Sequence, residues 1–449
     1  MRLSTLLSFT TLGSLAAAQG FGNSTIFPLS TDSQFSFSLQ VVLAQSDGYG
    51  SNPSEVLTAA ANITASDFES YYEAFNYLGT RIYNISQQIN STKFAVSARE
   101  ALFRSASYFR ASVTYLYGNV TDPRLYSLWD QQATAFDAAI ALLPVPGYRV
   151  NITGPGFSVP IIFYPASNDG VERPTALAGT GYDGSQEDLL HTLGFEILSR
   201  GYNFVTYEGP GQPTPRRDQQ LGFIPQWENV VTPVVDYLVS HPKVDADAMA
   251  LVGVSFGGQL APIVAAHEHR FAAVLLYDGL WSIFEQLEVE WPSQLIELYN
   301  NSQVQEFDEA VLAVAANASY PTDFRWFIQQ GLWSFKTSSP YNLLQQLSQY
   351  TLTTELLQNI TCPVFVGMGL DDASSVSAPQ VAEAIGDKAT LFRFVSDIGA
   401  GEHCQVGAES YLASVTMDWF QGVLDDRNAA RFAGNFTSVP SIKGRARGL

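Results

Sequence analysis

The ten residues 251–260, LVGVSFGGQL, change from an apolar run into a glycine-rich turn around a single serine. The apolar residues before the turn have the composition of a buried strand, and the stretch that follows it, GGQLAPIVAAHEH, is compatible with a helix. Residues 253–257 match the pattern G-x-S-x-G, which sets a serine on a sharp strand-to-helix turn with its hydroxyl above the sheet. Ser255 is therefore a candidate nucleophile, and an ordinary tight turn is the alternative.

Short apolar runs of the strand type recur on both sides of this turn. They are YRVNI, SVPIIFY, TALAGTG, NFVTYEG, AAVLLYDG, PVFVGMG and TLFRFVS. Helical patterns such as DLLHTLGFEILSRG and QWENVVTPVVDYLVSHP separate several of them, and this alternation requires crossover connections. The sequence therefore predicts an α/β fold with a mainly parallel eight-stranded sheet, whose functional groups lie at the carboxyl ends of the strands.

Two further regions are predicted to be helical. Residues 54–143 carry apolar residues at three- and four-residue spacing, for example in DFESYYEAFNYLGTRIYNISQQI. Residues 281–358, between AAVLLYDG and PVFVGMG, are too many for a single crossover and are rich in Trp, Phe, Tyr, Leu and Gln. We expect this second region to be a lid that covers an apolar pocket.

A serine hydroxyl needs a base within hydrogen-bond reach, normally a histidine that a carboxylate orients. The chain has five histidines. His403 lies in the glycine-rich stretch IGAGEHCQVG, directly after the last predicted strand, and is our candidate for the general base. Surface or packing roles suit the other four better, namely His191, His241, His267 and His269.

The orienting acid is predicted from the stretch PVFVGMGLDDASS, which ends a strand at Gly369 and then presents Asp371 and Asp372. The chain order Ser, Asp, His is the one expected of this type of serine site. We favour Asp372, because a glycine three residues earlier sets the turn before the acid, and Asp371 is the alternative. The carboxylate that is not used is then a solvated turn residue.

An oxyanion that forms during acyl transfer needs preorganised donors. We expect one donor to be the backbone N–H of Phe256, directly after the serine. The second is expected to be the backbone N–H of Tyr182 in LAGTGYDGSQED, for which a flexible turn at a strand end is the alternative.

Three other residues carry predictions about chemistry. Glu208 in TYEGPGQ lies at the catalytic edge of the sheet, where it is a possible substrate-binding residue, although a solvated turn carboxylate is the favoured interpretation. Cys362 and Cys404 are predicted near opposite ends of strands, too far apart for a disulfide. Two cysteines are too few for a multi-cysteine zinc site, and we expect neither metal nor cofactor.

Residues 1–18 have the features of a secretory signal peptide: a basic residue, an apolar stretch and three alanines. The acceptor pattern Asn-x-Ser/Thr supports export and glycosylation, and it occurs at Asn23, Asn62, Asn84, Asn90, Asn119, Asn151, Asn300, Asn317, Asn359 and Asn435. The net charge of −20 disfavours nucleic acid and anionic membranes. We therefore expect a secreted protein with a small-molecule partner, and the oligomeric state stays open.

The combination of TGYDGSQED, TYEGPGQ, GVSFGGQ, the aspartate pair and GAGEHCQ resembles the α/β-hydrolase superfamily. It is most similar to the group with an amino-terminal helical domain, which includes 2,6-dihydroxypseudooxynicotine hydrolase, the fermentation/respiration-switch esterases and fungal polyketide-tailoring hydrolases. The resemblance covers residues 148–424 by its motifs, and it implies a triad of Ser255, Asp372 and His403. Two departures are Glu208, where many relatives have aspartate, and the polar stretch ASSVSAPQ after Asp372.

This resemblance implies an organisation and a function. We expect a signal peptide at 1–18, a helical cap region at 19–146, an α/β-hydrolase domain at 147–430 with its lid at 281–358, and a tail at 431–449. The expected activity is that of a serine hydrolase on a bulky, weakly polar carbonyl compound, in the tailoring of a fungal polyketide or polyketide-peptide. Alternatives are a generic carboxylesterase, acyl transfer, cyclisation or C–C bond hydrolysis on the same triad, and a catalytically silent binding protein.

Overall fold

The structure, a computed structural model, describes residues 26–432. The predicted signal peptide, the acceptor residues Asn23 and Asn435, and the tail after residue 432 lie outside the described residues.

Between residue 26 and the sheet, the structure has five α-helices: α1 Ser33–Ala44, α2 Pro53–Ala60, α3 Phe68–Ser86, α4 Ala95–Val113 and α5 Arg124–Ile140. Helix α3 buries one stripe of side chains at three- and four-residue spacing, as its sequence predicts, and packs against α4, which packs in turn against α5. Helix α1 lies inside the predicted cap region 19–146 but before residues 54–143, where the helical pattern was recognised. Its start is marked by Asp32, whose carboxylate accepts a hydrogen bond from the backbone N–H of Phe35 at 3.0 Å.

The eight strands are β1 Tyr148–Thr153, β2 Ser158–Tyr164, β3 Arg173–Gly179, β4 Asn203–Tyr207, β5 Val244–Gly253, β6 Ala273–Leu276, β7 Val364–Gly369 and β8 Ala389–Phe394. They form one sheet in the order β1-β2-β4-β3-β5-β6-β7-β8. Strand β2 is antiparallel to β1 and to β4, and every other neighbouring pair is parallel. The predicted fold class, with its mainly parallel eight-stranded sheet, is confirmed.

Helices that connect the strands, together with the helix that follows β8, cover both faces of the sheet. They are α6 Phe195–Ser199, α7 Pro213–Asp218, α8 Glu228–Val239, α9 Gly257–Ala265, α16 Ala378–Ile385 and α17 Glu409–Phe432. One apolar cluster contains residues of α8, α9 and α16, and a second contains residues of α5, α6 and α17. The strands between these clusters read as apolar runs because side chains on both of their faces are buried.

Six helices lie between β6 and β7: α10 Ile283–Glu290, α11 Ser293–Asn300, α12 Val304–Ala315, α13 Thr322–Ser334, α14 Pro340–Leu347 and α15 Thr354–Gln358. Helix α13 contacts α1, so this insertion meets the helices that precede the sheet. Together they stand above the carboxyl ends of β5, β6 and β7. Among the helices of residues 26–432, none is long and apolar enough to cross a bilayer.

Candidate active site

The serine turn joins β5 to α9 and is built from glycines that cannot carry side chains. A Cβ at Gly253 would lie 2.2 Å from the carbonyl oxygen of Gly257, and a Cβ at Gly258 would lie 1.8 Å from the carbonyl oxygen of Asp278. Ser255 itself has φ of 60°, in the left-handed region that residues with a side chain rarely adopt. The backbone is held in this conformation by its surroundings, and strain of this kind is typical of functional turns.

Three side chains from distant parts of the chain meet at this turn. The Ser255 Oγ lies 2.9 Å from His403 Nε2, and His403 Nδ1 lies 3.0 Å from Asp372 Oδ2. The imidazole side chain is 14% exposed, and the carboxylate of Asp372 is fully buried. The three groups have the order and the separations of a nucleophile, a base and an orienting acid.

The other predicted acid, Asp371, points elsewhere. Its Oδ1 accepts a hydrogen bond from the Ser396 hydroxyl at 2.7 Å, and its backbone N–H donates to the carbonyl of Gly401 at 2.8 Å. Of the two neighbouring aspartates, the structure therefore brings Asp372 to the imidazole.

The loop that carries the predicted donor Tyr182 reaches the main chain of the serine turn at Phe256, the other predicted donor. A Cβ at Gly181 would come within 2.5 Å of the backbone nitrogen of Phe256, so the loop that carries Tyr182 touches the main chain of the turn. Within residues 26–432, the backbone N–H groups of Tyr182 and Phe256 donate no hydrogen bond. Two unengaged donors beside a serine hydroxyl have the arrangement of an oxyanion hole.

Sequence reasoning missed Asp278, which directly contacts the imidazole. Its Oδ2 lies 2.9 Å from His403 Nδ1, and it also accepts hydrogen bonds from the backbone N–H and the thiol of Cys404, at 3.0 and 2.9 Å. A signal was available, since Asp278 follows β6 in the run AAVLLYDG and thus lies at the same sheet edge as Ser255 and Asp372.

Burial and charge act in opposite directions on these groups. Burial alone would lower the pKa of His403, but the acidic groups around it, Cys404, Asp372 and Asp278, raise that pKa well above its ordinary value. Burial raises the pKa of Asp372. Burial alone would also raise the pKa of Asp278. The contacts of Asp278 with His403 and Cys404 have a larger, opposite effect and hold this pKa below its ordinary value. The site therefore favours the protonated imidazole that forms when a serine proton is transferred.

A cavity opens in front of the serine and encloses about 1480 Å³, counting its open mouth. Its floor contains Ser255, His403 and Tyr182. The walls come from α1 and α4 on one side and from α10 and α13 on the other, and their side chains include Phe37, Val41, Leu287, Phe324, Trp326 and Phe327. The lining is mainly apolar and aromatic, which suits a bulky organic ligand.

Among the described residues that form the cavity walls, one side chain is basic, that of Arg110. Arg110 is 8% exposed and is held at 3.3 Å from the carboxylate of Asp188, and it donates a hydrogen bond to the carbonyl oxygen of Asp183 at 2.7 Å. The acidic side chains at the wall include Glu290 and Asp323, and burial raises the pKa of both. The cavity therefore offers no unpaired cation to an anionic ligand.

Glu208 corrects a prediction. It is completely buried, and its carboxylate accepts hydrogen bonds from the backbone N–H groups of Gln186 and Thr214, at 2.9 and 2.7 Å. The favoured interpretation as a solvated turn residue is wrong, and Glu208 is not among the residues that line the cavity, so the structure gives no support to substrate binding. Burial raises the pKa of Glu208 to about 7. Its carboxylate fastens the loop after β3 to the turn after β4.

The remaining histidines and Cys362 are not among the residues that line the cavity, whereas Cys404 contacts Asp278 beside the imidazole. His191 is buried with its Nδ1 2.7 Å from the carbonyl oxygen of Gly48, and the Nε2 of His241 is 3.0 Å from the hydroxyl of Tyr148. His267 and His269 are exposed. Both cysteines, Cys362 and Cys404, are thiols without a disulfide in the described part of the chain.

One set of side chains in residues 26–432 has donor atoms close enough for a metal ion: Asp278, His403 and Cys404, within 4.8 Å of one another. Each of these donor atoms already has a hydrogen-bond partner within the set. We therefore assign this cluster to hydrogen bonding around the imidazole.

Comparison with known families gives one match, which covers part of the chain. The sequence model of the BAAT / acyl-CoA thioester hydrolase C-terminal family matches residues 232–325, a segment that includes Ser255 and Asp278. The remaining two groups at the serine, Asp372 and His403, lie beyond the matched segment.

Curated relatives come from fungi. The chain is 26% identical to hydrolase LUC6 of a Fusarium species, over 84% of this chain and 90% of the relative. It is 27% identical to the α/β-hydrolase gkaG of Penicillium citrinum, over 87% and 96%, and 28% identical to the 20-hydroxy-prefusarin hydrolase FUS2 of Gibberella moniliformis, over 74% and 81%.

Among solved structures, 2,6-dihydroxy-pseudo-oxynicotine hydrolase aligns with a TM-score of 0.66 at 18% identity, covering 88% of this chain and 97% of the other. AbyA5 aligns with a TM-score of 0.54 at 15% identity, covering 80% and 87%. At these identities the structural likeness speaks for the fold, including the helices that precede the sheet.

Proposed function

We propose that this protein, which belongs to the α/β-hydrolase superfamily, is a serine hydrolase that acts on a bulky, weakly polar carbonyl compound. The observation that carries the proposal is the hydrogen-bonded chain from Ser255 through His403 to Asp372, with Ser255 at the floor of an apolar cavity. A catalytically silent binding protein has no use for this set of three side chains.

In the proposed first step, His403 Nε2 takes the proton of Ser255 as its Oγ forms a bond to the substrate carbonyl carbon. The N–H groups of Tyr182 and Phe256 stabilise the oxyanion, and Asp372 stabilises the imidazolium. The imidazolium then gives its proton to the leaving group, whose bond to the carbonyl carbon breaks. An acyl-enzyme on Ser255 is left.

In the second step, a water molecule gives a proton to His403 and attacks the acyl carbon, and the proton returns to Ser255 as the acid leaves. If a hydroxyl or amine of the substrate itself attacks in place of water, the same groups catalyse cyclisation or acyl transfer. C–C bond hydrolysis is a further variant of the same triad chemistry. We place simple hydrolysis first because the curated relatives are called hydrolases.

The substrate class is inferred from the cavity and from the relatives. Aromatic and aliphatic side chains from α1, α10 and α13 line the cavity, and such a surface suits a bulky apolar molecule. One relative is named for a 20-hydroxy-prefusarin substrate, and the others are fungal hydrolases. We propose a polyketide or polyketide-peptide intermediate of fungal secondary metabolism as the substrate.

We also propose that the protein passes through the secretory pathway and is glycosylated. Support comes from the signal-peptide pattern at 1–18 and from the acceptor asparagines, because all those in residues 26–432 are exposed: Asn62, Asn84, Asn90, Asn119, Asn151, Asn300, Asn317 and Asn359. A loss of mass after treatment of the protein, purified from its natural host, with peptide N-glycosidase is expected. Unchanged mass and retention inside the cell would contradict this part.

The decisive experiment on the mechanism combines Ser255→Ala with a fluorophosphonate probe. We expect covalent labelling of the wild type at Ser255 and none in the variant, with turnover of any substrate reduced at least about 10⁴-fold. A panel of p-nitrophenyl esters separates the substrate classes. Rapid turnover of short esters favours a generic carboxylesterase, whereas labelling without ester turnover favours a specialised substrate. A wild type that resists labelling would overturn the serine mechanism.

Substrate identity is tested in the producing organism. Metabolite profiles of the wild-type strain and of a strain that carries Ser255→Ala should differ by the accumulation of a carbonyl-containing precursor. Identical profiles would contradict a role in secondary metabolism.

A further inference from the structure

Two carboxylates, not one, lie on the far side of the His403 imidazole. Asp278 Oδ2 is 2.9 Å from His403 Nδ1, and Asp372 Oδ2 is 3.0 Å from the same nitrogen. The two acids come from neighbouring parallel strands, since Asp278 follows β6 and Asp372 follows β7. Both are buried, with 1% and 3% of their surface exposed.

We propose that Asp278 is a second positioning carboxylate of His403, which shares the single Nδ1–H with Asp372 and also fixes the loop that carries the imidazole. The inference deepens the proposed serine mechanism and rests on it for its kinetic part. Neither the family match nor the Ser, Asp, His chain order assigns a role to Asp278.

The first argument is the number of donors that each acid receives. Asp278 Oδ2 accepts hydrogen bonds from the backbone N–H and the thiol of Cys404, in addition to its contact with His403. Asp372 accepts one backbone hydrogen bond besides its contact with His403, from the N–H of Ser374 at 2.8 Å. A carboxylate with more donors holds its negative charge more readily inside the protein. Accordingly, the pKa of Asp278 is lowered, whereas burial raises the pKa of Asp372.

The second argument is the backbone conformation after the histidine. Cys404 and Gln405 have φ of 52° and 55°, so both residues occupy the left-handed region. The hydrogen bond from the Cys404 N–H to Asp278 holds the start of this strained segment. Asp278 thus contacts the imidazole directly and, through Cys404, the main chain that presents it.

The third argument is the position of Asp278 relative to the nucleophile. Its carbonyl oxygen packs on Gly258 in the first turn of α9, where a Cβ would lie only 1.8 Å away. The main chain of Asp278 therefore borders helix α9, which starts two residues after Ser255, while its side chain borders the base. Such a residue fixes the distance between nucleophile and base.

The pKa of His403 can be measured by NMR with ¹³C-labelled histidine, a test that needs no substrate. The chain has five histidines and therefore gives five resonances. The resonance that disappears in His403→Gln belongs to His403. Loss of a neighbouring negative charge makes the imidazolium less stable, so Asp278→Asn should lower the pKa of His403 by about 1 or more. Other charged groups in reach, Asp183 and Glu290, are unchanged in this variant.

The matched control is Asp371→Asn, because Asp371 is a neighbouring aspartate that pairs with Ser396 instead of the imidazole. It should leave the pKa of His403 unchanged. Near-ultraviolet circular dichroism and thermal unfolding establish that each variant is folded, and Asp278→Ser, which also removes the charge, serves as the readout if Asp278→Asn does not fold. An unaltered pKa of His403 in the folded variants overturns the proposal.

The kinetic test uses the rate of fluorophosphonate labelling of Ser255. We expect Asp278→Asn and Asp372→Asn each to slow labelling by about 10- to 100-fold, and the double variant to slow it by about 10³-fold or more, because one acid partly replaces the other. A double variant no slower than Asp372→Asn alone would show that Asp278 has no orienting role. If the wild type resists labelling while the NMR shifts occur as expected, the serine mechanism fails and the pairing of Asp278 with His403 stands.

Discussion

The carboxyl edge of the sheet and the helical walls of the cavity differ in how much space they leave for substitution. At the sheet edge, main-chain atoms approach one another so closely that Gly253 and Gly258 cannot carry a Cβ. The walls consist of side chains from α1, α10 and α13, such as Phe37 and Trp326, which meet a ligand through their surfaces. On the proposed function, the reacting groups lie at the sheet edge and the side chains that contact the substrate lie in the helical walls.

The largest effect is expected at the sheet edge, from Gly258→Ala. The new methyl group would collide with the carbonyl oxygen of Asp278, so either α9 or β6 must shift. We expect labelling of Ser255 to fall at least about 10²- to 10³-fold, because small displacements of reacting groups are costly. Gly422→Ala in α17 is the control, since a Cβ there meets no atom within 4 Å, and its labelling rate should equal that of the wild type. Normal labelling of Gly258→Ala would contradict this account of the edge.

The next effect concerns the wall and should be selective. Trp326→Ala removes an indole that borders the cavity. We therefore expect kcat/KM for long-chain p-nitrophenyl esters to fall about 10- to 100-fold. The rate of labelling by a small fluorophosphonate should stay within about 3-fold of the wild type. Val289→Ala, at an exposed position on α10, should alter neither measurement. Equal losses for short and long esters would mean that the wall and the edge are not separable.

A third prediction concerns stability and pH at Glu208, beneath the loop of the sheet edge. Its pKa is raised to about 7 from a usual value of 4.5, mainly by burial, so folding is favoured while the group is protonated. The contribution of Glu208 to the free energy of unfolding is fully present below pH 4.5, and it should be lost as the pH rises from 4.5 through 7. The loss should amount to about 1–3 kcal/mol.

Urea unfolding at several pH values checks this prediction. Glu208→Gln should flatten the decrease between pH 5 and 8, while Glu172→Gln, at an exposed site, should retain it. A decrease in Glu208→Gln as steep as in the wild type would assign the pH dependence to other groups, of which Glu409 is one, because its pKa is likewise raised to about 7.

The smallest effect is expected from Tyr182→Phe, at a residue that links the sheet edge to the helical walls. The Tyr182 hydroxyl donates a hydrogen bond to the carbonyl oxygen of Phe327 in α13 at 2.7 Å, while its main chain borders the serine turn. Loss of the hydroxyl should cost about 1 kcal/mol of stability and change labelling less than about 3-fold. A large loss of labelling would mean that the side chain, not the backbone N–H, acts in the reaction.

The strands were predictable because a sheet buried on both faces requires continuous apolar runs, and the strand ends locate any group that follows them. The placement of Ser255, Asp372 and His403 together at one edge follows from that logic. Asp278 obeys the same rule and was missed because a single aspartate after a strand carries no motif. One imidazole can contact both acids because β6 and β7 are neighbours in the sheet. The order of the strands along the chain does not reveal which strands are neighbours in space.

The errors lie where tertiary contacts override local sequence. Glu208 looks solvent-exposed because its turn is rich in glycine and proline, but the loop after β3 covers it and supplies a backbone N–H to its carboxylate. Helix α1 alternates serine and glutamine with apolar residues, so its helical stripe of Phe35, Leu39 and Val42 is easily overlooked. The cavity wall formed by α1 could not be predicted without that helix.

The wide separation of the site residues along the chain bears on biosynthesis. Phe37 lies in the first helix, Ser255 near the middle, and the base follows the nucleophile by 148 residues. During translation, the nucleophile leaves the ribosome long before its activating partner, and the contact between them needs β7 and β8 in the sheet. If Ser255 is the nucleophile proposed above, the nascent chain has no activated serine until its final quarter has folded.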